Sequence, residues 1–108
     1  MRIGFIVVML AIAAPPVARA DEPVGYVEGT RLLARYHCNA CHTIDEPRAG
    51  PALRAIARRY ASDPNASGEL EAAMRNGSSG AWGASAMAAV DVPAADLTPL
   101  IEWILSLR

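Results

Sequence analysis

Two cysteines three positions apart, with a histidine directly behind the second, stand in the run Cys38-Asn39-Ala40-Cys41-His42. This C-x-x-C-H pattern is the attachment sequence of a c-type haem. Two thiols at that spacing can each add to one vinyl group of the same porphyrin, and the adjacent imidazole is then carried over the ring to reach the iron as an axial ligand. Such a histidine needs a neutral ring nitrogen on the metal and an acceptor for its other N–H, usually a carbonyl. Pro51, nine residues on, can offer one.

Other chemistry is open to the same residues. A cysteine pair can be a plain disulfide or a thioredoxin-like redox site, but such sites open a helix after a strand in an α/β fold, and no strand pattern precedes Cys38. A zinc site needs four ligands, and beyond Cys38, Cys41 and His42 only His37 remains, too close in sequence to close a tetrahedron comfortably. The motif can also arise by chance. An export signal and a helical pattern around the motif favour haem.

The sixth ligand decides whether the iron is closed, for electron transfer, or open, for chemistry. Histidine, methionine and lysine are the usual candidates. Lysine is absent, His37 is tied to the motif's own turn, and Met1 and Met9 fall in the leader. Met74 lies inside a helical stretch, where core packing is the ordinary use of methionine. Met87 lies in Ala81-Trp82-Gly83-Ala84-Ser85-Ala86-Met87, whose small residues let backbone and thioether approach a flat ring, and it is the favoured ligand. His/Met ligation raises the reduction potential relative to two histidines.

The elements that must position these groups are helical. Residues 24–36 place Val27, Leu32, Leu33 and Tyr36 at helical spacings, and Pro51-Ala52-Leu53 opens a second amphipathic stretch with Leu53, Ile56, Ala57 and Tyr60. Ser67 can cap a third helix running to Arg75, which Asn76-Gly77 would end. Residues 77–93 read as loop. In the last segment, 97–107, Leu100, Ile101, Ile104, Leu105 and Leu107 form an apolar stripe with Trp103. Asp96 as N-cap would put Pro99 in the first turn, where no donor is needed, so this helix should start late or bend. No run of β-branched residues alternates with polar ones, and the predicted fold class is all-α, about four short helices.

Composition agrees. The chain has 108 residues, and its ten basic residues, all Arg, face eleven acidic ones. No lysine-rich patch exists to hold nucleic acid or anionic lipid. Arg2, the apolar run from Ile3 to Ala14, Pro15-Pro16 and Ala18-Arg19-Ala20 read as a secretory signal over 1–20, cleaved after Ala20. A run of that length is shorter than the ~20 residues a membrane span needs. One domain, 21–108, is left, with eight Arg against eleven acids and a net charge of −3. Six aromatics are few for a core, and domains this small lean on a disulfide, metal or cofactor.

The chain resembles the class I c-type cytochromes, specifically the small bacterial c-551/c-552 type, over nearly all of 21–108. The resemblance rests on Cys38-Asn39-Ala40-Cys41-His42-Thr43-Ile44-Asp45, Gly50-Pro51-Ala52-Leu53, Arg75-Asn76-Gly77-Ser78-Ser79-Gly80-Ala81-Trp82-Gly83, Met87 and Trp103-Ile104-Leu105-Ser106. It implies a few helices around one covalent haem c, with the first and last crossing near Gly29 and Trp103. It also implies His42 and Met87 as axial ligands of the iron, Pro51 giving its carbonyl to His42, and Trp82 donating its indole N–H to a haem propionate. Departures are Ala88, Ala89 and Val90 where the family has prolines and an asparagine, Leu33 where an aromatic is usual, His37 where a small residue is common, and Pro99.

The function implied is a periplasmic one-electron carrier, not an enzyme, passing electrons between redox partner proteins as a monomer, with no nucleic-acid partner and no membrane insertion after cleavage. Alternatives are a bound cytochrome subunit of a periplasmic oxidoreductase, and a haem protein with a labile Met87 and peroxidase or gas-binding activity. Asn39, Ala40, Ala84, Ala86, Ala88 and Ala89, small and uncharged, should surround the exposed haem edge. Trp103, Tyr36 and Tyr60 read as structural, the tyrosine hydroxyls reaching water. Arg48, Arg54, Arg58, Arg59 and Arg75 read as a solvated face from which one can pair with a propionate.

Overall fold

A computed structural model describes residues 4, 9–16 and 25–108. The expected cleavage site at Ala18-Arg19-Ala20 lies outside the described residues. Among the described residues no helix is long and apolar enough to cross a membrane. In chain order the elements are α1 (Tyr26–Arg35), a 3₁₀ turn (Cys38–Ala40), α2 (Leu53–Arg59), α3 (Ala66–Asn76), β1 (Ser78–Gly80), β2 (Gly83–Met87) and α4 (Ala94–Ser106).

Helix α4 is the centre, packing against each of the other three helices. Its Leu97, Leu100, Ile101, Trp103 and Ile104 are all buried, as expected of a helix apolar over most of its circumference. Helix α1 buries Gly29, Leu32 and Leu33, one face at helical spacing. Leu53, Ile56 and Ala57 of α2 and Ala66, Leu70 and Met74 of α3 close the core. The expected core roles of Met74 and Trp103 hold.

The crossing of α1 and α4 has almost no tolerance. A Cβ on Gly29 would lie 2.1 Å from two indole carbons of Trp103, so the α1 backbone rests directly on the ring. A second tie runs between the same helices. The Tyr36 hydroxyl donates to the Asp96 carboxylate, rather than reaching water as the sequence reading expects.

That contact also bears on the start of α4. The expected N-cap, Asp96, is the third residue of the helix, and Pro93 occupies the cap position. The amides of Asp96 and Leu97 both donate to the Pro93 carbonyl at 2.9 Å. The helix therefore starts early rather than late, and Pro99 sits inside it. A proline in a helix interior costs about 3 kcal/mol. Here the carbonyl it strands belongs to exposed Ala95, where water can serve it, while the early start brings Leu97 into phase with Leu100 and Ile101.

Two further expectations are corrected. Helix α3 begins at Ala66 with no side-chain cap, and Ser67 is its second residue. The Asp63 carboxylate accepts the Asn65 N–H at 2.8 Å, so the entering turn is organised ahead of the helix. The second correction concerns 77–93, which is not wholly loop: β1 and β2 pair antiparallel, Ser78 opposite Met87 and Gly80 opposite Gly83. Turn chemistry makes this hairpin, because Gly77, Gly80 and Gly83 take positive φ of 82°, 80° and 100°. Its residues are not strand formers.

Two outcomes follow from these ties. Gly29→Ala should destabilise the folded chain by at least about 1–3 kcal/mol, the usual cost of overpacking, in guanidinium unfolding. A change below about 0.5 kcal/mol would mean that the crossing can slide. For Tyr36, the hydrogen bond to Asp96 and then burial raise the hydroxyl's pKa above its ordinary 10.0. A raised folded pKa gives stability that is complete below the unfolded value and lost as pH climbs through the folded one. Tyr36→Phe should therefore be less stable than the parent below pH 10, with the gap closing above it.

Candidate functional site

Helix α1 ends where the chemistry begins. Tyr36 closes the helix, and His37 turns the chain with φ 59°, in the left-handed region that histidine enters more readily than most residues. The next residues coil into a 3₁₀ turn: Ala40 N–H donates to His37 O at 3.1 Å, and the amides of Cys41 and His42 donate to Cys38 O at 3.2 and 3.0 Å. Cys38, Cys41 and His42 thus follow one another around little more than a single turn. Cys38 is half-buried and Cys41 exposed, and neither is in a disulfide. Burial pushes the Cys38 thiol's pKa up.

His42 is buried, and its Nδ1 donates to the Pro51 carbonyl at 2.7 Å. A carbonyl only accepts, so Nδ1 carries the hydrogen and Nε2 is left with the lone pair. The other constraint on the ring comes from Gly50. A Cβ there would lie 2.5 Å from Cε1 and 2.9 Å from each ring nitrogen, so this position holds no side chain. Gly50 is itself fixed, its N–H donating to Cys41 O at 2.8 Å and its carbonyl accepting the Arg48 N–H at 2.9 Å. Thr43 closes the intervening loop: its hydroxyl donates to Glu46 O at 2.5 Å and accepts the Glu46 N–H at 3.0 Å.

This donor set fits a haem. One imidazole has its far nitrogen freed by a hydrogen bond on the near one, and two unpaired thiols lie one turn before it. Among the described residues no three His, Cys, Asp or Glu side chains converge as a zinc ion would need. Beside His42 a cleft of about 320 Å³ opens between α1 and the turn, lined by Leu33, Ile44, Thr30, Thr43, Asn39 and Arg48. A larger, aromatic side chain at position 33 would occupy part of it.

Met87 and Trp82 form a separate group on the hairpin. Met87 is half-buried against the core, and its backbone is held from two sides. It pairs with Ser78, and its carbonyl lies so near Gly77 that a Cβ there would be 2.9 Å away. Beyond it the Val90 N–H donates to Met74 O at 2.8 Å, tying the chain to α3. Trp82, at the hairpin's tip, is 38% exposed. Its indole N–H has no acceptor among the described residues. The Arg59 guanidinium lies 4.4 Å from the centre of the Trp82 ring and donates to Ala81 O at 2.6 Å.

The structure therefore joins Cys38, Cys41, His42 and Pro51 directly, while Met87 and Trp82 stand on the hairpin. Asn39, Ala40, Ala84, Ala86, Ala88 and Ala89 are all exposed. Sequence reasoning quotes Gly50 within the Gly50-Pro51-Ala52-Leu53 run but gives it no role, and it misses the partner of Arg59, which no spacing announces.

Comparison with known proteins agrees. A family model, cytochrome c, matches residues 26–108. Cytochrome c-551 of Stutzerimonas stutzeri is 35% identical over 100 residues, 93% of each chain. Cytochrome c-552 of Nitrosomonas europaea is 40% identical over 86 residues, 78% of this chain and 84% of that one. The crystal structure of wild-type Nitrosomonas europaea cytochrome c552 superposes with a TM-score of 0.70 at 39% identity, covering 73% of this chain and 99% of that one. A motif whose histidine presents a free Nε2, an α1–α4 crossing at Gly29 and Trp103, and relatives matched along most of their length lead to one conclusion: the chain belongs to the cytochrome c family and is a small class I c-type cytochrome that binds haem c covalently.

Proposed function

We propose that the chain is an exported, periplasmic one-electron carrier, with haem c attached through Cys38 and Cys41 and its iron held between His42 and Met87. The observation that carries this reading is the 2.7 Å hydrogen bond from His42 Nδ1 to Pro51 O, which leaves the Nε2 lone pair available to a metal. A bound haem supplies a ferric/ferrous couple; the protein's residues set how easily and to whom the electron moves. Pro51 keeps the His42 ring from rotating and makes it a better donor. Gly50 lets the ring sit flush on the backbone. Burial of His42 and the packing of Met87 against the core would favour the less charged ferrous state.

Met87 suits the second axial position because its backbone is fixed at Ser78, at Gly77 and, three residues on, at Met74. Trp82 offers a free indole N–H to a propionate, with the Arg59 charge against its ring. With both His42 and Met87 holding the iron, no position would be left for substrate, and the protein would serve as a carrier and not an enzyme. The leader at 1–20 supports the periplasm as its location. Its partners meet it through the uncharged surface of Asn39, Ala40, Ala84, Ala86, Ala88 and Ala89, a small interface of the kind redox encounters use.

One observation favours a second reading. The Met87 sulfur receives no hydrogen bond among the described residues, and Ala88, Ala89 and Val90, which follow it, have no side-chain donor to offer. A weakly held thioether would open the iron to small ligands.

Visible spectra of the exported protein separate the two. With Met87 bound, the ferric protein shows the weak far-red band of a thioether on haem iron at neutral pH, and Met87→Ala abolishes it. The same variant should lower the midpoint potential by on the order of 0.1 V or more, a fraction of the roughly 0.8 V that axial ligation spans. A parent protein without the band would refute stable Met87 ligation. Docking is tested by salt: with no lysine ring to steer encounters, electron-transfer rates should change less than about tenfold between low and high ionic strength. A steep fall would show that charges guide the encounter.

A further inference from the structure

We propose that Arg54 is a positioning residue for the His42 ligand, strapping the segment that leaves His42 to the end of α4 and so setting the His42–Pro51 hydrogen bond. The proposal rests on His42 being the axial ligand.

Arg54 is the second residue of α2, three positions beyond Pro51. The amides of Leu53 and Arg54 donate to the carbonyls of Thr43 and Ile44 at 2.9 and 3.0 Å. The start of α2 is thereby laid along the residues that directly follow His42. The Arg54 side chain then reaches in two directions from one rigid planar group. Its Nε donates to Asp45 Oδ1 at 2.6 Å, and its Nη1 to the Leu107 carbonyl at 2.7 Å.

The second arm is the firmer one. Helix α4 has no basic residue in its last turn, so its final carbonyls, which carry the helix's partial negative charge, lack a cation of their own. Arg54 supplies one from another element, onto a buried residue. The Asp45 carboxylate is 64% exposed, and an ion pair at that exposure is worth little by itself. Its role is geometric: it ties the His42 segment to an arginine anchored elsewhere. The pairs Glu28–Arg31 and Glu71–Arg75, by contrast, each lie within one helix and position nothing outside it.

His42 and Pro51 sit at the two ends of the loop that this strap closes. If the Arg54 side chain lets go, only the two backbone bonds to the Thr43 and Ile44 carbonyls hold the segment to the start of α2, the segment gains freedom at Asp45, and the Nδ1–H···O bond lengthens. The imidazole then becomes a poorer electron donor, which disfavours the ferric state and raises the potential.

The test uses the holoprotein, with two readouts: the midpoint potential and the NMR shift of the His42 Nδ1 proton in the ferric state. Arg54→Gln should raise the potential by about threefold in the ferric/ferrous equilibrium, about 28 mV at 59 mV per decade for one electron, and should move the proton resonance. Asp45→Asn, which leaves the Leu107 arm in place, should shift both in the same direction by less, and it covers the case in which Arg54→Gln does not fold. Arg54→Lys should restore part of the effect. Arg75→Gln, which breaks a pair confined to α3, should change neither. If Arg54→Gln and Asp45→Asn leave both readouts at parent values, or Arg75→Gln moves them equally, Arg54 does not position His42. An Nδ1 proton with no hyperfine shift in the parent ferric protein would instead refute His42 as ligand.

Discussion

An imidazole has two nitrogens, and the fold decides what one of them does so that the other is available. The 2.7 Å bond from His42 Nδ1 to the Pro51 carbonyl fixes tautomer and ring orientation together. Much of the local structure exists to keep that bond short. Gly50 carries no side chain because the ring occupies its place, the Gly50 amide is tied back to Cys41, and Thr43 closes the loop between. Pro51 contributes its carbonyl and rigid φ, and α2 begins two residues later. A loop of this kind would wander if it were free, and it is instead hydrogen-bonded at both ends.

The same logic runs at larger scale through α4. Few aromatics serve the core, and α1, α2 and α3 make their contacts on one central helix. The largest of its side chains, Trp103, lies against a glycine, which lets two helices approach more closely than side chains on both would allow. Close approach then makes the Tyr36–Asp96 bond reachable across the pair. Pro99 breaks the helical ladder in this central helix, yet at an exposed carbonyl, so the lost bond is exchanged for water while the buried stripe keeps its phase.

What was legible in the sequence is what local chemistry decides. The attachment motif, the four helices, the end of α3 at Asn76-Gly77, the core role of Met74 and the Pro51 acceptor all follow from residue type and short spacing. What was not legible depends on partners far along the chain. Asp96 reads as a cap until Tyr36, sixty positions away, takes its carboxylate. The 77–93 segment reads as loop because its strands carry glycine, serine and alanine, and only the positive φ of three glycines folds it into a hairpin. Arg54 reads as a surface charge, and nothing nearby indicates that its second acceptor is the Leu107 carbonyl, 53 positions on.

The arginines carry this last point into function. A chain that uses no lysine has cations that are planar, weakly hydrated and suited to fixed contacts. Arg31 and Arg75 pair within helices, Arg48 donates to the Asn39 carbonyl, Arg54 bridges Asp45 and Leu107, and Arg59 covers Trp82. Charges held this way are bound into the molecule's own framework and project less into solvent than a mobile ammonium would. Between Gly77 and Val90 there is no charged residue at all. A partner approaching that hairpin meets backbone, methyl groups and one indole under the Arg59 guanidinium, so the proposed encounter depends mainly on fit at short range and on weak desolvation. An interface with little Coulombic attraction to hold it also separates quickly, which is what a carrier that must leave one partner to reach the next requires.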